Sequence, residues 1–189
     1  VVCPSKPNLS ISFSELLRVA QKPMIEILQD SPGLNAQQLK HATNSFSCHF
    51  VKVQVNPKTM EVKILDVVTT ADAGKIVSEN TARSQMLGGV VGGVGMALKE
   101  ELMFDHKTGQ VRNASFAGYQ VPRHTDIPPT RVWFVNKPDP IINPIGAKGL
   151  GEIALIGFAA AVSNAVFNAT GKRVRDLPIT PEKLGYKGK

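Results

Sequence analysis

The stretch NPIGAKGLGEIALIGFAAAVSNAVFNATG, Asn143–Gly171, joins a glycine-rich loop to a long uncharged run that ends in glycine. The run has the composition of a buried helix, and Gly171 stands where a helix C-terminal cap belongs. We therefore predict one helix from about Glu152 to Ala169. Glu152 is the lone acid of the stretch and stands at the start of this helix, which raises the question of its role.

The loop before the helix carries Gly146, Gly149 and Gly151 within six residues, with Lys148 among them. At a helix N-terminus such a loop offers free backbone N–H groups, a positive dipole end and an ammonium group, which predicts an anion site. It has neither the P-loop sequence nor the dinucleotide GxGxxG order. Glu152 has two open interpretations, a residue that stabilises the first helical turn or a general base.

The rest of the chain mixes strands and helices without strict alternation. Apolar and polar residues alternate on both sides of the turn NPKTM, which predicts an antiparallel β-hairpin. We predict an α+β fold: a two-layer mixed sheet with this hairpin and two long packed helices. The expected elements are a short helix after Ser12 with a capping box to Glu15, a loop Ser31–Gln38, strands His49–Val55, Glu61–Thr70 and Arg131–Asn136, and a helix Ser78–Met103.

The expected helix Ser78–Met103 carries glycines at 88, 89, 92, 93 and 95. Each interior glycine costs a helix roughly 1 kcal/mol relative to alanine, so a compensating contact is expected. Two interpretations stay open: tight packing of another helix, or a ligand that approaches the bare backbone. Gln85, at the start of the glycine-rich part, is either a polar cap or a hydrogen-bonding partner of that ligand.

Composition excludes several classes of function. The chain has 189 residues, 42% hydrophobic residues and a net charge of +7, which is typical of a globular domain with a basic, solvated tail rather than a nucleic-acid groove. Cys3 and Cys48 have no metal-ligand spacing, and we expect buried thiols without a disulfide. The four histidines are scattered and expected mostly at the surface. The apolar runs Ser84–Leu98 and Ile153–Gly171 are expected to be buried helices, not membrane spans.

Several segments together resemble one known family. GAKGLGE, followed by GFAAAVSNAVFNATGKRVRDLPITPEKL, resembles the C-terminal end of the molybdenum-binding subunit of the xanthine oxidase and aldehyde oxidoreductase family of molybdenum hydroxylases. SFSCHFVKVQVNPKTMEV resembles the hairpin of that family, DAGKIVSENTARSQMLGGVVGGVGMALKEEL its glycine helix, and NASFAGYQVPRHTDIPP the segment before its next strand. Order and spacing match from about Ser45 to Leu184.

The resemblance implies a domain organisation. Residues 45–189 would form a C-terminal molybdopterin-binding domain, and residues 1–44 a connecting segment with a short helix. The subunits of this family are several times longer, and the chain does not begin with Met. We therefore expect a fragment, or one half of a split subunit, that is inactive alone.

The resemblance also implies a reaction, the oxidation of aldehydes to carboxylic acids with water as oxygen donor. Glu152 would be the catalytic base that activates Mo–OH, and no residue of this chain would bind the metal directly. Ile153 and Ala154 replace two prolines of many relatives, which favours the aldehyde-oxidising type. Hydroxylation of purines or N-heterocycles, and a non-catalytic cofactor-binding or assembly module, remain alternatives. The expected cofactor contacts are Lys148, Gly149, Leu150, Gly151, Gln85 and Asp72.

The same resemblance implies cofactors and partners. The cofactor would be a molybdenum-pterin, with the cytosine dinucleotide form left open. Electrons would leave through 2Fe-2S clusters and FAD on partner subunits. The expected partners are a small aldehyde, the remainder of the large subunit, and the iron–sulfur and FAD subunits, without nucleic acid or a membrane span. A cytoplasmic location is favoured, with the periplasm as the alternative through a partner's export signal.

Overall fold

The computed structural model describes residues 1–30 and 38–188. The chain divides into two compact units, Val1–Asn35 and Ala36–Lys189. The expected loop Ser31–Gln38 lies outside the described residues, except for Gln38, which begins a short 3-10 turn, Gln38–Lys40.

The first unit holds a two-stranded antiparallel sheet, β1 (Val2–Cys3) and β2 (Lys6–Ser10), followed by helix α1 (Phe13–Val19). The Ser12 hydroxyl accepts a hydrogen bond from the Glu15 backbone N–H at 3.2 Å, which confirms the predicted N-cap. The short sheet was not predicted, because all five residues of β2 are exposed and carry no alternating pattern.

The second unit is built on a three-stranded sheet of β3 (Phe46–Val55), β4 (Val62–Asp72) and β5 (Thr130–Phe134), in that order. β3 and β4 pair antiparallel, as the hairpin pattern predicts, and β5 pairs parallel with β4. The sheet is therefore mixed, and the predicted α+β class is confirmed.

Three helices cover one face of this sheet: α2 (Glu79–Leu98), α3 (Ile153–Ile156) and α4 (Phe158–Thr170). A 3-10 turn, His124–Asp126, precedes β5. α2 ends at Leu98, so the prediction that it reaches Met103 is wrong. Gly171 has φ 72° and donates to the Phe167 carbonyl, which confirms the predicted C-terminal cap.

The predicted single helix from Glu152 to Ala169 is wrong, because the chain breaks at Gly157 into α3 and α4. His49 of β3 lies against the break: a Cβ at Gly157 would stand 3.0 Å from the His49 Cδ2 atom. The sheet therefore lies close to the helix layer at the break between α3 and α4.

The core lies between the sheet and the helices. A larger cluster is centred on buried side chains of β4, α2 and α4: Val67, Val90, Val94, Phe158, Val162 and Val166. A smaller cluster joins Ala71, Met86, Val132 and Ala154, and so packs α2 and α3 on β4 and β5. These contacts fix the short helix α3 on the layer beneath it, since burial of apolar area stabilises by about 25 cal/mol per Å².

Some glycines of α2 are explained by tight packing against another helix, one of the two interpretations left open by the sequence. Gly89 faces α3, where a Cβ would stand 2.6 Å from the Ala154 Cβ. A Cβ at Gly93 would stand 2.5 Å from the Phe158 ring. These glycines allow close helix packing, but Gly88 faces open space.

Ile153–Thr170 is the stretch of the described residues that is long and apolar enough to cross a membrane by length and composition. Its residues Phe158, Ala159, Val162 and Val166 lie in the protein core, which accounts for its apolar character. The expectation of buried cysteines is wrong: Cys3 is half-buried, Cys48 is exposed, and both are free thiols.

Candidate functional site

The glycine-rich loop is fastened to the C-terminal end of β4. The Lys148 ammonium group lies 3.0 Å from the Asp72 carboxylate, and its side chain is only 8% exposed. The Lys148 backbone N–H donates to the Ala73 carbonyl at 2.8 Å. The pKa of Asp72 lies below its usual value, mainly because its carboxylate accepts a hydrogen bond from the Gly74 N–H and, to a smaller extent, because it pairs with Lys148. The structure thus brings together two of the predicted site residues, but as partners of each other.

Asn143 shapes the first half of the loop. Its side-chain oxygen accepts from the Gly146 N–H at 2.7 Å, and its amide donates to the Ala147 carbonyl at 2.7 Å. Gly146 has φ 75°, in the left-handed region that favours glycine. Its carbonyl accepts from the Lys75 N–H at 2.8 Å and from the Asp139 N–H at 3.0 Å. These bonds give the loop a defined backbone.

The backbone N–H groups in the second half of the loop have no hydrogen-bond acceptor among the described residues. Within residues 1–30 and 38–188, no hydrogen bond uses the backbone N–H groups of Gly149, Leu150, Gly151 or Glu152. Gly149 also has no atom within 4 Å of the position of a Cβ. Four successive N–H groups without a protein acceptor form a surface that favours an anion.

Glu152 precedes α3 as its N-cap residue, but its side chain makes no capping hydrogen bond. The residue is exposed, and its carboxylate has no hydrogen-bond or ion-pair partner in the part of the chain that the structure describes. α3 has only four residues, so its dipole is short. The carboxylate is therefore available to a ligand or to solvent.

Gln85 of α2 lies beside the loop, since a Cβ at Gly151 would stand 3.7 Å from the Gln85 side-chain oxygen. Gly88 is three residues further along α2, on the same side of the helix as Gln85. We call this exposed group the glycine surface, and its members are Gln85, Gly88, Gly149, Gly151 and Glu152. Leu150 is half-buried behind it, against the smaller core cluster.

Three residues at the start of β3 were missed as site residues. The Ser45 hydroxyl donates to the Gly149 carbonyl at 2.5 Å, and the Ser47 hydroxyl donates to the Ile153 carbonyl at 2.8 Å. His49 follows at the next position on the same strand face and contacts Ser47 at 3.2 Å. His49 is half-buried, and burial lowers its pKa, whereas the other three histidines are exposed, as expected for most of them. The spacing of two along a strand was the available signal.

These features agree with an anionic ligand. The free N–H groups of the loop can donate hydrogen bonds to phosphate oxygens, and the glycines leave room for close approach to the backbone. Among the described residues, no group of three or more His, Cys, Asp or Glu side chains is placed to hold a metal ion.

The sequence matches the family model of the molybdopterin cofactor-binding domain over residues 5–128. The match includes Asp72 and Gln85 and ends before the glycine-rich loop. Two curated relatives match a longer part of the chain. The aldehyde oxidoreductase molybdenum-binding subunit PaoC of Escherichia coli K12 is 47% identical over 145 residues, which cover 77% of this chain and 20% of that protein.

The xanthine dehydrogenase molybdenum-binding subunit of Escherichia coli O157:H7 is 38% identical over 148 residues, 77% of this chain and 20% of that protein. Among solved structures, the aldehyde oxidoreductase of Desulfovibrio desulfuricans aligns with a TM-score of 0.67 and 33% identity, over 74% of this chain and 15% of that one. The chain thus spans about a fifth of the length of the curated relatives it matches.

Proposed function

Because the chain belongs to the molybdopterin cofactor-binding domain family, we propose that it forms part of the active site of a molybdenum hydroxylase that oxidises aldehydes to carboxylic acids. Water is the oxygen donor in this proposal. The choice of aldehydes is supported by the identity of 47% with an aldehyde oxidoreductase subunit, against 38% with a xanthine dehydrogenase subunit. The single observation that carries the proposal is the unpaired Glu152 carboxylate beside a loop with free backbone donors.

The glycine surface would hold the cofactor. The N–H groups of Gly149, Leu150 and Gly151 would donate to its phosphate oxygens, and Gln85 would offer a further hydrogen bond. Asp72 and Lys148 would act indirectly, because their ion pair fixes the loop on the end of β4. When bound, the cofactor supplies the redox centre that takes two electrons from the substrate.

Glu152 would act as the general base. The oxygen that comes from water must lose a proton before it can bond to the carbonyl carbon of the aldehyde. A Glu152 carboxylate oxygen accepts that proton, and this carboxylate has no internal partner among the described residues that would compete for it. A positioned base contributes about 10²–10⁴-fold to such a step.

The proposal is tested by Glu152→Gln in the complete molybdenum hydroxylase complex that contains this chain. We expect kcat for aldehydes to fall by about 10²–10⁴-fold, because Gln cannot accept the proton. Molybdenum content, measured by elemental analysis, should stay unchanged. Glu101→Gln is the matched control, since Glu101 is equally exposed but lies outside the glycine surface.

Other outcomes assign the alternatives. If the Glu152→Gln complex keeps its kcat while it retains molybdenum, the chain is a cofactor-binding or assembly module rather than a catalytic one. If the wild-type complex hydroxylates purines or N-heterocycles and leaves aldehydes unchanged, the reaction class is retained and the substrate class is wrong.

The proposal extends to partners. The remainder of the molybdenum-binding subunit would complete the pocket, since the relatives are about five times longer than the part matched here. Iron–sulfur and FAD subunits would take up the electrons, and the pterin would be retained as such or as its cytosine dinucleotide. We place the complex in the cytoplasm, with export through a partner's signal as the alternative.

A further inference from the structure

Two serines at the start of β3 bond the main chain on both sides of Glu152. Ser45 donates to the carbonyl of Gly149, and Ser47 donates to the carbonyl of Ile153. Ser47 lies on β3 and Ser45 immediately precedes the strand, and both side chains reach the main chain that carries Glu152. The segment between the two carbonyls contains two of the five members of the glycine surface, Gly151 and Glu152.

The hydrogen-bond directions in this region follow from counting protons. A carbonyl can only accept, so the single proton of the Ser47 hydroxyl goes to Ile153. The His49 Nε2 atom, 3.2 Å from the Ser47 oxygen, must then carry a hydrogen and donate it. The Nδ1 atom of the same ring accepts from the Thr69 hydroxyl at 2.8 Å. The neutral Nε2–H form of His49 therefore satisfies every bond of the chain from Thr69 to Ile153.

One end of this series of hydrogen bonds lies in the protein core. Thr69 of β4 is 0% exposed, and the His49 ring lies edge-on to the buried Phe158 ring at a centroid distance of 5.9 Å. A Cβ at Gly157 would stand 3.0 Å from the His49 Cδ2 atom, so the ring also lies close to Gly157. His49 is therefore packed between Phe158 and Gly157, and its Nε2 atom lies 3.2 Å from the Ser47 oxygen.

α3 cannot fix its own first residue, because four residues are too few for a helix that is stable by itself. We propose that Ser45 and Ser47 are positioning residues that set the direction of the Glu152 carboxylate, and that His49 keeps Ser47 in its donating geometry. This inference rests on the proposed role of Glu152 as the base.

The test is Ser47→Ala in the complete complex. Loss of the bond to Ile153 frees the start of α3, and a misplacement of about 1 Å in a reacting group costs about 10²-fold in rate. We expect kcat to fall by about 10- to 100-fold, with KM and molybdenum content unchanged. Ser47→Thr keeps the hydroxyl and suits a strand, so it should restore most of kcat.

Ser163→Ala is the matched control, since Ser163 also donates to a backbone carbonyl, that of Val174, at 2.8 Å, but on α4 away from the loop. It should lower stability as Ser47→Ala does and leave kcat unchanged. Equal effects of the two variants on kcat would overturn the inference. If Ser47→Ala does not assemble, Ser45→Ala applies the same test through the Gly149 carbonyl.

A double variant separates this inference from the proposed function. In a Glu152→Gln background, Ser47→Ala should lower kcat no further, because residues that act as one unit are not additive. A further full loss would show that Ser47 acts by another route. If Glu152→Gln itself leaves kcat intact, the proposed base fails first, whatever the serine variants do.

Discussion

Glu152 owes its position to main-chain contacts rather than to contacts of its own side chain. Its neighbours Gly149 and Ile153 are bonded through their carbonyls, and Lys148 is tied to Asp72. A carboxylate that bonded to the protein would be less available as a base. The arrangement therefore combines a fixed backbone with an unoccupied functional group.

We expect His49 to make the free energy of unfolding depend on pH. Burial lowers its pKa in the folded state below the usual 6.5, so the unfolded chain takes up the proton more readily. The contribution of His49 is complete above pH 6.5 and decreases as the pH falls from there towards the lowered pKa. Chemical denaturation of the chain across this range should show the loss.

His49→Gln should remove that slope, because the side chain no longer titrates. His106→Gln, an exposed histidine on a turn, serves as the control and should keep the wild-type slope. An unchanged slope in His49→Gln would show that another group produces the pH dependence.

Neighbouring glycines of α2 have different surroundings, so substitutions there should have opposite effects on stability. Gly89→Ala would place a Cβ against the Ala154 side chain and the backbone of α3, which cannot move away easily. We expect a loss of about 1–3 kcal/mol in the free energy of unfolding, as for other overpacked sites. Gly88→Ala meets no atom and should gain about 0.5–1 kcal/mol from helix propensity.

Urea denaturation of both variants measures this difference of sign. If the cofactor lies against Gly88, the Gly88→Ala complex should also retain less molybdenum although its fold is more stable. A gain in stability with full molybdenum content would remove Gly88 from the glycine surface.

Local patterns predicted most of these elements, and non-local contacts explain what they missed. The hairpin, the caps at Ser12 and Gly171, and the glycine helix follow from neighbours in the sequence. The break at Gly157 lies against His49, which is far away in the chain, and the Asp72–Lys148 pair joins the end of β4 to a distant loop. The loop of the candidate site was visible in the sequence, but the serines that hold it were not.

One face of the three-stranded sheet has no covering layer among the described residues. Phe46 and Phe50 of β3 and Trp133 of β5 stand there 66%, 64% and 65% exposed. A patch of this kind is typical of a surface that contacts other protein. Such an exposed apolar patch agrees with the finding that the chain spans about a fifth of the length of the curated relatives it matches.

Trp133 is the single tryptophan and reports on this face. In the isolated chain we expect emission at the long wavelength of a solvated indole and efficient quenching by iodide, because its side chain is 65% exposed. The urea-unfolded chain gives the upper limit of quenching. Blue-shifted, protected emission would show that the face is covered, for example by self-association.

The parallel pairing of β5 with β4 bears on the order in which the second unit is assembled. β3 and β4 can join through a short turn, whereas β5 must wait until α2 has crossed back over the sheet, because closing a long loop costs entropy. The loop with Glu152 comes later still in the chain. The candidate site is then completed after the hairpin, and a chain arrested halfway would present the unpaired edge of β4 to its neighbours, a known route to misassembly.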